Sequence, residues 1–149
     1  MEKKKRIILI GRTAAGKTTL CQRMNHEDLS YHKTQTVQIF NDQMIDTPGE
    51  YLERRFLQGA LMVTSADADL ILLVQDATED GTMFPPAYTS QFAKPSLGVV
   101  TKCDLATAEQ VLEAEKHLTM AGAQKLFAVS SMTGQGVGDL IRYLDILWS

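Results

Sequence analysis

Four short, nearly unbroken apolar runs recur along the chain, at residues 7–10, 70–74, 97–100 and 126–129. A strand with one wet face alternates apolar and polar residues, whereas runs of this kind fit strands covered on both faces of a parallel sheet. Between the runs the spacing switches to the helical period. Val111, Ala114, Leu118 and Ala121 fall on one face, as do Val137, Leu140, Ile141, Leu144 and Leu147. Leu52, Phe56, Ala60 and Leu61 make a third stripe. Strands alternating with helices imply right-handed βαβ crossovers. One segment departs from this rhythm: 37–40 and 43–46 flank Asn41-Asp42, which predicts a tight hairpin and one antiparallel edge strand. The expected fold is α/β, a doubly wound, mainly parallel six-stranded sheet with that one antiparallel edge strand and helices on both faces. Residues 77–93, with Gly81 and Pro85-Pro86, must cross between strands and predict a short helix starting near Pro86.

Neither a repeat nor a low-complexity tract nor a linker interrupts the pattern, so residues 1–149 are expected to form a single domain. The chain is 44% hydrophobic, enough to build a core without a metal or disulfide. A net charge of −3 provides no long-range field toward nucleic acid or an anionic membrane, and neither is expected as a partner. Cys21 and Cys103 fit no metal-ligand spacing. The basic start Lys3-Lys4-Lys5-Arg6 leads into an apolar run too short for a signal core or a membrane span, and reads as a solvated strand entry in a cytoplasmic protein.

The densest chemistry follows the first run. Gly11-Arg12-Thr13-Ala14-Ala15-Gly16-Lys17-Thr18 satisfies G-x-x-x-x-G-K-[ST] in full, between a strand pattern and the helix pattern that Thr19 continues. Glycines let the backbone curl so that successive N–H groups face phosphate oxygens. Lys17 can extend to the β- and γ-phosphates, and the Thr18 hydroxyl can ligate Mg²⁺. The helix presents its positive N-terminus to the same charge.

Two further segments belong with this loop. Asp46-Thr47-Pro48-Gly49 ends the second hairpin strand, where Asp46 can hold Mg²⁺ through a water and the Gly49 amide can approach the γ-phosphate. A hydroxyl from the preceding loop is also needed, with Thr34 favoured over Thr36, which can instead belong to the strand. After the 97–100 run, Thr101-Lys102-Cys103-Asp104 offers a carboxylate that can accept two hydrogen bonds from the N1–H and N2–H₂ edge of guanine. The Lys102 stem can lie across the base. Ser130-Ser131-Met132 can offer backbone N–H groups to guanine O6. GTP and GDP are therefore expected ahead of ATP and ADP.

These motifs span nearly the whole chain and resemble the small GTPase superfamily, which implies its P-loop fold. Gly11-Arg12 through Asp46-Thr47-Pro48-Gly49 is similar to the Era-like, translation-factor-related branch. More narrowly, Lys33-Thr34-Gln35, then Ile45-Asp46-Thr47-Pro48-Gly49-Glu50-Tyr51, and late Ala121-Gly122-Ala123-Gln124-Lys125 resemble the EutP/PduV family. That resemblance implies an accessory role in bacterial microcompartments processing ethanolamine or propanediol, with shell or enzyme proteins as partners. It also implies a rival activity, since some ethanolamine-side members are described as acetate kinases. Arg12, Arg54 and Arg55 are the cations near enough in sequence to serve an acetate site, although solvated helix arginines are the simpler reading of the last two. A third possibility is a non-catalytic module whose nucleotide fixes a binding surface, with Trp148 as one contact or as core.

Two departures from the GTPase pattern carry expectations. Glu50 stands where the best-known small GTPases place a glutamine that orients the attacking water. It can accept a proton from water or simply cap the helix beginning near Leu52; the expected hydrolysis is slow. Ala14 replaces the asparagine that holds potassium in potassium-activated relatives, so no potassium stimulation is expected.

Overall fold

The first apolar run forms β1 (Ile7–Ile10), the third strand of a six-stranded sheet, in the computed structural model of the chain, which describes residues 5–24, 38–40 and 44–147. The others are β2 (Gln38–Phe40), β3 (Met44–Asp46), β4 (Leu70–Asp76), β5 (Ser96–Thr101) and β6 (Leu126–Ala128). They lie in the order β2-β3-β1-β4-β5-β6. Only the β2–β3 pair is antiparallel, with Ile39 opposite Ile45; every other neighbour is parallel, Ile8 pairing with both Ile45 and Ile71. The hairpin and its edge strand follow the sequence expectation, while its connecting residues 41–43 lie outside the described residues.

The helices are α1 (Lys17–Met24), α2 (Glu50–Glu53), α3 (Gln58–Ser65), α4 (Ala108–Ala121) and α5 (Val137–Leu147). Continuous apolar strands serve two cores because successive side chains point to opposite faces. Ile8, Ile10, Ile71, Leu73 and Val100 meet Leu61 of α3 and Ala114 and Leu118 of α4. Ile7, Leu9, Leu70, Leu72, Val74 and Val99 meet Leu20 of α1 and Leu140 and Leu144 of α5. Helix α4 is defined at both ends, by a Thr107–Gln110 capping box and by Gly122 at φ 111°.

The sequence reading needs three corrections. The stripe at Leu52, Phe56, Ala60 and Leu61 is not one helix. The chain turns extended at Arg54 (φ −110°, ψ 119°), and a 3₁₀ turn over Arg55–Leu57 intervenes before α3. The 3.6 period is reset there, so Leu52 and Leu61 are buried while Phe56 is 77% exposed. Leu147 projects beyond the last core-facing turn of α5 and is exposed rather than buried. The crossover after β4 contains no α-helix at Pro86; a 3₁₀ turn, Tyr88–Gln91, starts after Ala87 in the left-handed region. Its Tyr88 ring packs between Phe84 and Phe92, and aromatic burial anchors the segment instead of helical hydrogen bonding.

The topology places the site. β1, β3, β4, β5 and β6 all run the same way, so residues 11–18, 46–49, 76–79, 101–105 and 129–132 emerge along one edge. β1 lies between β3 and β4, and chain connections leave it in opposite directions, which opens a crevice at the carboxyl ends.

Candidate functional site

The glycine-rich loop leaves β1 and turns directly into α1. Gly16 has φ 96°, where a side chain would be strained, and Ala14 accepts a left-handed φ of 66° despite its Cβ. The loop is held from three sides. Thr101 Oγ1 donates to Ala15 O at 2.6 Å, Lys102 Nζ donates to Ala14 O at 2.8 Å, and Lys17 Nζ folds back to Gly11 O at 2.8 Å and Arg12 O at 3.0 Å. Burial lowers the Lys17 pKa, opposed by attraction to Asp46, Cys21 and Glu53. A buried ammonium satisfied chiefly by carbonyls is poised to exchange them for an anion.

On one flank the end of β3 brings Asp46 to α1. The carboxylate is fully buried and accepts a short hydrogen bond from the Thr18 hydroxyl, which closes the spacing of 28 residues that sequence leaves open. These two hard oxygens suit Mg²⁺. Among the described residues no group of three or more His, Cys, Asp or Glu can hold a metal, so an ion held by Thr18 and Asp46 would need further oxygen ligands from outside such a group. Thr34 and Thr36 lie outside the described residues.

Next, Thr47 Oγ1 donates to Leu9 O at 2.8 Å and pins the Asp-Thr-Pro-Gly turn to β1. Gly49 presses on the phosphate loop: a Cβ there would stand 2.1 Å from Thr13 N. Glu50 is half-buried and stands in the first turn of α2, whose cap position is Gly49, so it is the first helical residue rather than the cap. Glu53, one turn later, makes the contact: it accepts from Thr13 Oγ1 at 2.8 Å, with Arg12 Nε 3.9 Å away. Arg12 also lies 3.4 Å from Glu79. Arg54 and Arg55 are exposed.

On the other flank a cavity of about 240 Å³ is lined by Gly16 and Thr19, by Thr101, Lys102, Asp104 and Leu105, and by Ser131 and Met132. It is slightly smaller than the usual range for ligand sites (~300–1,000 Å³). Residues of the two segments expected to read the base, 101–104 and 130–132, thus line one pocket together with Gly16 and Thr19 of the phosphate side. Asp104 stands on a 3₁₀ turn, Cys103–Leu105, that begins at Lys102 with φ 60°. Ser130 is fully buried and organises its turn: its hydroxyl accepts from Thr133 N at 3.3 Å, and its carbonyl from Gly134 N at 2.8 Å.

Three residues absent from the sequence reading complete the arrangement. Asp76, at the end of β4, receives Lys102 Nζ at 2.9 Å and two bonds from Thr78. Its pKa is lowered: burial raises it, and the Thr78 and Lys102 contacts outweigh that effect. Glu53 and Arg23 are the other two. Only Asp76 left a trace, as a carboxylate ending an apolar strand at the same sheet edge; the other two are ordinary charged residues on helices.

Residues 4–146 match the family model described as PduV-EutP, ethanolamine utilisation and propanediol utilisation. The chain is 43% identical over 141 residues to the propanediol utilization protein PduV of Citrobacter freundii, covering 95% of this chain and 93% of that protein. It is 32% identical over 145 residues to the probable acetate kinase EutP of Escherichia coli (strain K12), covering 96% and 91%. Among solved structures it resembles Era in complex with MgGDPNP and a 16S ribosomal RNA segment, with TM-score 0.68 and 21% identity. That match covers 97% of this chain but 56% of the Era chain, and it shows the fold alone.

Proposed function

The chain belongs to the PduV-EutP family, and from that premise we propose that it binds Mg²⁺ with a guanine nucleotide, hydrolyses the γ-phosphate slowly, and acts as an accessory to ethanolamine or propanediol utilisation. The site is assigned to the loop 11–18 with Thr19 for the phosphates, to Thr18, Asp46 and Thr34 for the ion, and to Thr101, Lys102, Asp104, Ser130, Ser131 and Met132 for the base. Magnesium, when bound, neutralises the charge on the β- and γ-phosphate oxygens.

The observation that carries the guanine reading is the chemistry of the 240 Å³ pocket. Asp104 places an acceptor on one side. Ser131 and Met132 also line the pocket, and their N–H groups donate to no carbonyl among the described residues. Guanine presents donors at N1 and N2 and an acceptor at O6, which complements this set. Adenine presents a donor at N6 and lacks the N1–H and N2–H₂ pair, which leaves both the carboxylate and the N–H groups without their partners. Calorimetric titration with GTP and ATP in Mg²⁺ tests this: GTP should bind at least tenfold tighter, and equal affinities would reject the base assignment.

Slow hydrolysis is attributed to the absence of a neutral water-orienting side chain at Glu50. A second reading has one specific observation in its favour. The Thr13 hydroxyl and the Arg12 guanidinium already hold a carboxylate, that of Glu53, beside Lys17. An acetate anion displacing it would stand near the phosphate Lys17 takes, as a phosphoryl acceptor. Phosphorus NMR of GTP and of ATP with the protein and Mg²⁺, with and without acetate, separates the two. Acetyl phosphate formed faster than inorganic phosphate supports transfer to acetate; orthophosphate alone supports hydrolysis.

A further inference from the structure

The guanidinium of Arg23, in the last turn of α1, donates through Nε to Ser131 O and through Nη2 to Met132 O, both at 2.6 Å. Among the described residues it forms no ion pair with a carboxylate. Its planar fork instead spans two successive main-chain carbonyls of the turn that borders the base pocket.

The consequence follows from peptide geometry. A trans peptide holds C=O and the next N–H in opposite directions. Drawing the Ser131 carbonyl toward Arg23 therefore turns the Met132 N–H away from α1's end. The neighbouring amides are all committed: Ser130 N to Gln135 O at 2.9 Å, Thr133 N to Ser130 Oγ at 3.3 Å, and Gly134 N to Ser130 O at 2.8 Å. Ser131 and Met132 alone in this turn keep N–H groups without an acceptor among the described residues. The Ser131 hydroxyl, in a residue only 7% exposed, is likewise buried with no partner among them, and Ser131 lines the pocket. Three donors are thus held ready at one wall. Without the fork, rotation of the Ser131–Met132 peptide would swing the Met132 N–H toward other partners.

We infer that Arg23 is a positioning residue that tunes the base specificity of the pocket, by locking the Ser131–Met132 peptide so that the Met132 N–H, beside the Ser131 donors, faces a purine O6. This rests on the guanine reading above. It also gives α1 a double task, because its first turn carries Lys17 and Thr18 for the phosphates and its last turn orients the base wall. Arg23 touches no reacting atom.

The test compares the unsubstituted protein with Arg23→Gln and Arg23→Lys, by calorimetry with GTP, ITP, ATP and magnesium tripolyphosphate. Losing a charge-assisted pair of bonds should weaken GTP about tenfold. ITP, which keeps O6 and lacks only the N2 amine, should weaken by the same factor. ATP and tripolyphosphate should be unchanged. Arg23→Lys keeps the charge but cannot span both carbonyls and should behave like Arg23→Gln. Loss of tripolyphosphate binding in parallel with GTP would mean a general structural role and overturn the inference. So would unchanged GTP affinity in both variants. Equal binding of GTP and ATP by the unsubstituted protein would reject the guanine reading itself, and the inference with it; a GTP-to-ATP affinity ratio left unchanged by Arg23→Gln rejects the inference alone.

Discussion

Glu53 should oppose the triphosphate more than the diphosphate. Its carboxylate lies on the Thr13 hydroxyl at 2.8 Å, close enough for its charge to act on Lys17, the side chain assigned to the terminal phosphates. Glu53→Gln keeps an acceptor for Thr13 and removes the charge, so α2 should stay docked. At an effective dielectric of about 20, unit charges roughly 6 Å apart repel by ~3 kcal/mol. The side chain is 26% exposed, and salt and solvent should cut this to about half. The remaining ~1.4 kcal/mol corresponds to about tenfold in affinity. Calorimetry with GDP and a non-hydrolysable GTP analogue in Mg²⁺ should therefore show the analogue-to-GDP affinity ratio rising about tenfold in Glu53→Gln. A ratio within twofold of the unsubstituted protein would refute the reasoning, because it would place the terminal phosphate beyond the reach of this carboxylate. A tenfold gain for both nucleotides would refute it too, by showing that Glu53 acts on the loop as a whole.

Three other outcomes can be checked directly. Gly49→Ala has an acceptable backbone (φ −56°, ψ −29°) but brings a Cβ 2.1 Å from Thr13 N, so urea unfolding should show a loss of about 1–3 kcal/mol; equal or greater stability would mean that α2 does not dock as described. Lys17 has a folded pKa lowered by burial from its ordinary 10.5, so between the two values the unfolded chain binds more protons and the nucleotide-free protein should gain stability as pH rises through that window. Lys17→Met should flatten that slope in urea midpoints measured across pH, and an unchanged slope would contradict the assignment. Asp104→Ala removes two charge-assisted hydrogen bonds worth ~1.5–3 kcal/mol each, so GTP affinity should fall about a hundredfold or more while ATP is unaffected; an equal fall for both would mean that Asp104 does not read the base.

Local patterns alone determined the sheet, because burial on both faces of a parallel strand forces an unbroken apolar run such as 70–74, and a partly covered helix forces the period seen in Ala114, Leu118 and Ala121. The phosphate loop was equally legible, since wrapping an anion needs backbone freedom and an ammonium group at fixed spacing within eight consecutive residues. Only the tertiary structure decided what depends on distances between segments. It joined Thr18 to Asp46, set Gly49 and Glu53 on Thr13, and tied Arg23 to a turn 108 residues away. It also broke the 52–61 stripe at Arg54, where the chain must leave α2's contact with the phosphate loop before α3 can reach the sheet. Hydrophobic periodicity reports which side of an element is dry. It carries no information about which charged residue on the wet side meets another element, because that pairing is set by how the strands are ordered and where their carboxyl ends converge.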